Sequence, residues 1–575
     1  MHQVDLPFDV LLQIFLHLDP FKIAKYRRVC RSFNTVLTNP PFSNVIGLAQ
    51  IGHTYDGVHV YCFVTPETSS KAFLTMVQKL VQDAHESEYD AGSFKKYPVE
   101  SVQVLEINPL KTINEVSLFE FLKGHILSGP LPRALGSMTK LSNDVNLKGN
   151  YVTGPLPSEL GNLVHLKKLN LSGALLDGTI PDSFGNLVNL EVLDLCSAKL
   201  TGSIPASFGN LINLAQLYLD KNKLSGTVPD VFGGMVKLQT LIISNNDFEG
   251  RIPQSLGQCL QLTTLHCDGN RFSGSLPASI LRLPLLQSAN VGNNLIISEI
   301  LPPCSASGDH DASLDLTSPN AASNPLKQGQ AFFHLSELHL SHNQLSGRFP
   351  NYITSMTNLR HLCLHENYLN DSLPNEIGEL SNLWTLNLGN NQISGTIPDS
   401  ISGLVALNKL DLSCNLFVGG IPDSIVSLVN LSTLLLQHNK LSGPLQKEIG
   451  SLTSLSVLDL SHNCFCGEIP ESMGNLGNLR TLNLSYNQFT GEIPPGIFNL
   501  SDLTTLQLNN NRLVGPLHAG FSRLKSMRTL DVSHNQLTGS VAKCVLSRRL
   551  QKLILNDNQL SGPLPQRGAS GWVWM

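Results

Sequence analysis

The chain has 575 residues and a charged fraction of 14%, which is low beside the ~25% typical of soluble domains. Its 45 glycines and 32 prolines are close to average usage, which excludes a collagen-like or low-complexity chain. The net charge of −5 at pH 7 argues against nucleic acid or an anionic membrane as the main partner.

The cysteines and the first residues bear on the compartment. The 11 cysteines are scattered, and the close pair Cys464 and Cys466 has neither redox nor zinc-site spacing. No apolar run is long enough to span a bilayer. The amino terminus lacks a basic start, and Asp9, Gln13 and His17 interrupt its apolar residues, which disfavours a signal peptide. We therefore expect a cytoplasmic or nuclear protein without membrane insertion.

Residues 6–37 predict three short helices. The first has an apolar stripe at Val10, Leu11, Ile14, Phe15 and Leu18. Asp19-Pro20 is a helix start signal, because Asp is a good N-cap and Pro suits the first helical position. A third stretch carries apolar residues between Val29 and Val36. A core this small is marginal without a partner.

This segment resembles an F-box in its opening Leu6-Pro7, in Leu18-Asp19-Pro20 and in the run from Arg28 to Phe33. In that family the motif docks onto a Skp-type adaptor, which joins a cullin–RING ubiquitin ligase. The resemblance implies adaptor contacts at Leu6, Pro7, Ile14, Leu18, Val29, Cys30 and Phe33. Several of these side chains equally suit the core of the helices themselves, Phe33 above all, whereas Leu6-Pro7 precedes the helices and favours adaptor contact.

Residues 46–118 fit neither the F-box nor the region that follows. The runs 58–64 (VHVYCFV) and 99–107 (VESVQVLEI) predict strands. Between them a helix is predicted by one apolar face with Phe73, Met76, Val77, Leu80, Val81 and Ala84. We expect a small α/β connector that caps the repeats, because the open ends of a repeat stack require caps.

A 24-residue repeat organises residues 119–566, in about 18 units. Its template, L-x-x-L-x-L-x-x-N-x-L-S-G-x-I-P, is clearest between Leu383 and Pro398. The alternating leucines predict a short strand with one buried and one open face. The glycine permits a tight turn, and the proline gives a stiff extended segment. The template asparagine can satisfy the turns of adjacent repeats; it recurs at Asn150, Asn222, Asn246, Asn270, Asn294, Asn343, Asn367, Asn391, Asn415, Asn439, Asn463, Asn487, Asn511, Asn535 and Asn558.

The template resembles the plant-type leucine-rich repeat of receptor-kinase ectodomains and polygalacturonase inhibitors. The resemblance implies an α/β solenoid, a superhelix with a parallel concave β-sheet, preceded here by the three-helix F-box and the α/β cap. We predict an F-box at 1–45, the connector at 46–118, repeats at 119–566 and a tail at 567–575. Residues 295–330 lose the template and are interpreted as one degenerate repeat with the worn strand Ser313–Leu316.

The open face of the repeats is the predicted target-binding surface. A sheet on the order of 80 Å long suits a protein or an extended peptide better than a small metabolite. Aromatic and Arg side chains are common interface anchors. The candidates, densest between 339 and 384, are Tyr218, His266, His339, Arg360, His361, His365 and Trp384.

No enzyme motif or cofactor fingerprint is present, so we expect a non-catalytic scaffold without a cofactor. His361-x-Cys363-x-His365, with His339 one strand away, is the one constellation that invites a metal. Along a strand His361 and His365 lie ~13 Å apart, too far to share an ion easily. A polar binding face is therefore the preferred interpretation, and no metal site is assigned.

Two functions remain open at this point. The first is a substrate-recognition subunit of an SCF-type ubiquitin ligase, with the F-box on the adaptor and the repeats on an unknown target protein. The second is a recognition protein of receptor or inhibitor type, secreted or on the cell surface. Five N-x-S sequons bear weakly on the second, because the template itself writes Asn-Leu-Ser; they are Asn170, Asn370, Asn430, Asn483 and Asn499.

Overall fold

The computed structural model describes residues 46–54, 59–64, 94–96 and 104–107, and then the chain from 126 onward. Within that last part the exceptions are 132, 138, 140, 142–143, 298–333, 542–548, 563–571 and 575. The predicted F-box helices and the connector helix fall outside the described residues. The chain divides into two compact units, residues 1–272 and 273–575.

Before the repeats, the described residues of the first unit form four strands, at Ile46–Thr54, His59–Val64, Phe94–Lys96 and Val104–Ile107. The inner strands of its repeats are Asp144–Asn146, Lys168–Asn170, Val192–Asp194, Gln216–Tyr218, Thr240–Ile242 and Thr264–His266. The outer strands are Ile126–Pro130, Tyr151–Pro155, Leu175–Asp177, Thr201–Gly202, Lys223–Thr227, Asp247–Gly250 and Arg271–Gly274, the last of which ends in the second unit. One-turn 3-10 helices follow them, at Arg133–Ser137, Ser158–Asn162, Asp182–Asn186, Ala206–Asn210, Phe232–Gly234 and Gln254–Gln258.

The second unit repeats the same order of elements. Its inner strands are Ser288–Asn290, Glu337–His339, His361–Cys363, Thr385–Asn387, Lys409–Asp411, Thr433–Leu435, Val457–Asp459, Thr481–Asn483, Thr505–Gln507, Thr529–Asp531, Lys552–Ile554 and Trp572–Trp574. The outer strands are Leu295–Ile296, Ser346–Arg348, Tyr368–Asn370, Val418–Gly419, Lys440–Pro444, Cys464–Glu468, Gln488–Thr490, Thr538–Ser540 and Gln559–Ser561. An α-helical turn, Ala278–Leu281, is followed by 3-10 helices at Asn351–Ser355, Asn375–Glu379, Asp399–Gly403, Asp423–Ser427, Lys447–Ser451, Glu471–Asn475, Pro495–Asn499 and Ala519–Arg523.

Successive inner strands pair in parallel, residue for equivalent residue. Leu362, for example, lies opposite Leu338 on one side and Leu386 on the other. In each of these strands the central leucine is buried and its two neighbours are half-exposed. Stacked phenylalanines fill the interior further from the inner sheet, as where Phe465 and Phe489 lie 6.3 Å apart between ring centroids. This is a repeat solenoid, and the fold predicted from the 24-residue repeat is confirmed in the part of the chain that the structure describes.

The template asparagine bridges consecutive repeats. The Asn415 side chain, 5% exposed, donates from Nδ2 to the carbonyl oxygens of Leu388, Leu412 and Ser413 at 2.9, 3.2 and 3.1 Å. Its Oδ1 accepts the backbone N–H of Ile393 at 2.9 Å. Leu388 and Ile393 belong to the preceding repeat, so the amide satisfies groups on both sides of the junction. We call the column of these residues, Asn222 to Asn558 at the positions given above, the asparagine ladder.

The turn opposite the inner sheet keeps its shape where the template proline is missing. The proline before a 3-10 helix is extended, as at Pro422 with φ −65° and ψ 140°. Gln446 and His518 replace it with nearly the same backbone, at φ −68° and −76°. His518 also accepts the N–H of Gly520 on Nδ1 at 3.0 Å, so its side chain caps the helix. In the corresponding turn at Ser158–Asn162, Gly161 lies so close to the next repeat that a Cβ atom would overlap the backbone of Ser183.

The inner sheet continues directly across the interruption of the repeat. Ser288–Asn290 pairs with Glu337–His339, although twice the usual length of chain separates these two strands. Residues 298–333 lie outside the described part of the chain. The strand Ser313–Leu316 of the suggested degenerate repeat falls among them, so that interpretation stays a prediction.

One strand that precedes the repeats is paired directly with the first repeats. His59–Val64 pairs in parallel with Ile126–Pro130, which in turn pairs with Tyr151–Pro155. The strands before the repeats thus share a sheet with the first repeats, although the capping role of 46–118 stays a prediction.

In the part of the chain that the structure describes, no helix has the length and apolar character needed to cross a membrane.

The asparagine ladder gives the first prediction. Asn415→Ala removes the hydrogen bonds that the side-chain amide makes to three carbonyls and one N–H. Because these groups are then unsatisfied, we expect the free energy of unfolding to fall by about 2–4 kcal/mol. The measurement is urea denaturation of the purified chain. The matched control is Asn382→Ala, which removes an exposed amide bonded to the Thr357 carbonyl at 3.0 Å and should cost less than about 1 kcal/mol. Equal losses in the two variants would contradict the role given to the ladder.

Candidate functional site

The open face consists of the side chains that flank the central residue of each inner strand, which is Leu in most of them. In the second unit, register places His361 between Glu337 and Thr385, and Cys363 between His339 and Asn387. His339 and His361 therefore lie on adjacent strands, as predicted.

Arg360 and Trp384 occupy the same position in successive repeats, just before the strand. The Trp384 N–H donates to the Arg360 carbonyl at 2.7 Å, which keeps the two residues in neighbouring rows. Trp384 is 49% exposed, an unusual state for a large apolar side chain, and Arg360 is exposed as well. The structure thus brings together five of the seven proposed target-binding residues, namely His339, Arg360, His361, His365 and Trp384.

His365 lies just past its strand, where its ring packs edge-on against the His342 ring with 5.1 Å between centroids. Its Nδ1 is buried and has no hydrogen-bond partner. Burial, and next the charge of His342, lower the pKa of His365 below its ordinary value. His342 in turn places Nδ1 3.6 Å from Oε2 of Glu366. The neutral imidazole of His365 is therefore the favoured form on this part of the face.

The other two proposed residues, Tyr218 and His266, lie in the first unit. Register sets Ile242 between them, so they flank one apolar side chain and are not neighbours on the sheet. All three side chains are half-exposed.

The structure contains a column of stacked rings that was not among the candidate residues chosen from the sequence. His438, His462 and Tyr486 each immediately precede a ladder asparagine, with left-handed φ of 56°, 53° and 52°. His462 stacks on both neighbours with 4.1 Å between ring centroids. Burial, and next the charge of His438, lower the pKa of His462. Three aromatic residues at one template position of consecutive repeats were the signal that could have identified this column.

The donor set does not assemble into a metal centre. Among the described residues, no group of three or more His, Cys, Asp or Glu side chains is arranged to hold a metal ion. Nδ1 of His361 lies 3.2 Å from Oγ1 of Thr385. Burial raises the pKa of the Cys363 thiol to about 11, so at neutral pH it is a neutral thiol and not a thiolate ligand. The arrangement suits polar and aromatic contacts with a partner surface.

The seven proposed adaptor-binding residues, Leu6 to Phe33, lie outside the described residues. Their assignment stays a prediction.

Comparison with family models identifies both parts of the chain. Residues 147–298 and 313–466 match the model described as leucine-rich repeat region, and 490–537 and 478–500 match two leucine-rich-repeat models. Residues 4–42 match the F-box-like model. The amino-terminal resemblance is thereby confirmed. No curated protein sequence matches the chain.

Solved structures similar to the chain include ectodomains of plant receptors. The plant peptide hormone receptor RGFR1, in complex with RGF2, is 30% identical with a TM-score of 0.68, over 77% of this chain and 68% of that one. The Arabidopsis receptor kinase HAESA, in complex with the peptide hormone IDA and SERK1, is 30% identical with a TM-score of 0.67, over 77% and 70%. The ectodomain of GASSHO1/SCHENGEN3 from Arabidopsis thaliana is 35% identical with a TM-score of 0.65, and this chain spans 53% of its length.

The environment of His365 gives the second prediction. By NMR, we expect its ring to titrate below the ordinary value of about 6.5. His342→Gln removes a neighbouring positive charge and should raise the pKa of His365, whereas Glu366→Gln removes a negative one and should lower it further. Shifts of the same sign in both variants would contradict this electrostatic account.

A pH dependence of stability follows from the same shift. Because the folded-state pKa of His365 lies below the unfolded value, the unfolded chain binds the proton first, and stability is lost as the pH falls below about 6.5. We expect His365→Gln to reduce the difference in free energy of unfolding between pH 7 and pH 5. An unchanged difference would show that His365 does not contribute to it.

Proposed function

The chain belongs to the leucine-rich-repeat family, and on that premise we propose that it is a substrate-recognition subunit of an SCF-type E3 ubiquitin ligase. The observation that carries the proposal is the F-box-like match at residues 4–42, on the amino-terminal side of the repeats. In this account the F-box docks a Skp-type adaptor of a cullin–RING ligase, and the repeats hold a target protein. The setting is the cytoplasm or the nucleus.

In this proposal the chain performs no catalytic step and acts as a binding scaffold. Leu6, Pro7, Ile14 and Leu18, with Val29, Cys30 and Phe33, carry the adaptor contact. Holding the target in the same assembly as the ubiquitin-loading machinery raises its effective concentration there, which converts an encounter into an intramolecular step.

For the target we propose the open face of the second unit around Arg360 and Trp384. An exposed Trp beside an exposed Arg has the composition of an interface hot spot, because both residues bury large areas and Arg offers several donors. His339, His361 and His365 supply polar contacts on the adjoining strands. In the first unit, Tyr218 and His266 offer an aromatic and a polar contact on either side of Ile242.

One observation favours a second function. The similar ectodomains of RGFR1 and HAESA are described in complex with peptide hormones, so repeats of this type serve peptide recognition in those proteins. A receptor- or inhibitor-type protein without a ligase role would carry glycans at sequons such as Asn370 and Asn430. Intact mass measurement of the native protein distinguishes the two functions, since the ligase account expects no N-linked glycan.

Adaptor binding provides a direct test of the ligase function. A purified Skp-type adaptor should retain the full-length chain, and Leu6→Ala/Pro7→Ala should abolish retention while leaving the circular dichroism spectrum and the unfolding midpoint unchanged. Arg360→Ala/Trp384→Ala should be retained like the wild type. An intact chain that the adaptor does not retain would exclude the ligase function.

The fourth prediction separates target binding from adaptor binding. Proteins whose half-lives lengthen in cells that express Leu6→Ala/Pro7→Ala, measured by quantitative proteomics, should include a subset that also lengthens with Arg360→Ala/Trp384→Ala. Asn478→Ala, which removes an exposed amide in a repeat distant from Arg360 and Trp384, is the control and should change none of them. If the two double variants share no stabilised protein, the face around Arg360 and Trp384 is not the target site.

A further inference from the structure

A column of exposed aliphatic side chains runs along one edge of the first unit. It lies in the turn between each 3-10 helix and the following inner strand. Its members occupy the same position in five consecutive repeats and are 36–60% exposed: Val164, Val188, Ile212, Val236 and Leu260. We call this set the aliphatic column.

Folding of the turn does not require an aliphatic residue. The N–H of Val188 donates to the carbonyl two residues earlier at 2.8 Å. In the second unit Ser381 and Lys525 make the same bond at 2.9 Å from the equivalent position. Thr453 and Ser501 make it as well. Five aliphatic residues in succession are therefore a property of these five repeats and not of the template.

The surroundings of the column are mostly polar. The exposed residues that precede it on the 3-10 helices or directly after them include the uncharged Asn186 and Asn210 and the acidic Asp182. On the other side an open hollow of about 350 Å³ is lined by Glu191, Asn213, Ala215, Lys237, Gln239 and Gln261. Glu191 is paired with Lys167 at 3.4 Å, and Lys237 donates to Oδ1 of Asn213 at 2.8 Å. Lys237 has no carboxylate partner among these contacts, so the hollow presents a cation to an approaching ligand.

We propose that the aliphatic column with its hollow docks a short amphipathic helix of a partner protein, with an aliphatic stripe and an acidic flank. Five rungs at the ~4.8 Å spacing of stacked strands extend about 19 Å, the length of roughly 13 helical residues at about 1.5 Å each. The helical pitch of about 5.4 Å is close to that spacing, so one aliphatic side chain per turn meets the gaps between rungs. The acidic flank then lies over Lys237.

The exposed area distinguishes this occupant from a second copy of the chain. Five half-exposed aliphatic side chains offer a few hundred Å², well short of the ~800 Å² per partner in a stable interface. A symmetric dimer through the column would also place one Lys237-bearing edge against another. A helix supplies its own acidic complement and needs only the column and the hollow.

The test is a selection on the full-length chain. A displayed library of short helices, each about 14 residues long with a fixed leucine stripe and randomised flanks, is selected on the wild type. Affinities of the enriched peptides are then measured by fluorescence anisotropy on the wild type, on Val188→Ser/Ile212→Ser/Val236→Ser and on the control Val405→Ser/Val429→Ser. Serine occupies the equivalent position at Ser381 and Ser501, so the triple variant is expected to fold.

The expected result is enrichment of peptides with acidic flanks that bind the triple variant about tenfold or more weakly and the control variant like the wild type. Lys237→Gln should weaken them selectively at low salt. The proposal is overturned if no peptide is enriched, if the triple and control variants bind equally, or if the wild type self-associates through the column in light scattering.

Discussion

The asparagine ladder is the interaction on which the rest of the structure depends. A single repeat buries its leucines only against its neighbours, and a junction between repeats holds turn carbonyls and an N–H that need hydrogen-bond partners. One side chain with two donors and one acceptor oxygen satisfies them, as Asn415 does for Leu388, Leu412 and Ile393. Because the amide belongs to both repeats at once, it fixes their spacing and register together.

Because the ladder fixes the spacing and register of the repeats, other positions can vary and serve recognition. The apolar central residue of the inner strands and the ladder asparagine are required by packing, while the half-exposed strand residues and the edge turn are not. Ser, Val and Lys form the same edge turn, and Trp384, Thr504 and Arg528 all fit the position before the strand. In a solenoid of this kind, the residues that recognise a partner occupy positions that can vary without disturbing the packing of the repeats.

Much of the fold could be predicted from the sequence, because the repeat is periodic and each template residue has a physical role. The site is only partly predictable: strand positions identified His339 and Trp384, whereas the ring stacking of His462 depends on a left-handed backbone that alternation does not reveal. The strand pairing across the interruption could not be predicted either, since residues 295–330 lose the template that would set the register. The structure pairs Ser288–Asn290 directly with Glu337–His339.

The central claim is that adaptor docking and target recognition occupy separate parts of one chain. Hydrogen exchange of the full-length protein, measured by mass spectrometry with and without a Skp-type adaptor, tests it most directly. The account predicts slower exchange within residues 4–42 and unchanged exchange in the inner strands from Glu337–His339 to Thr385–Asn387. Protection of those strands by the adaptor, or no protection within 4–42, would contradict it.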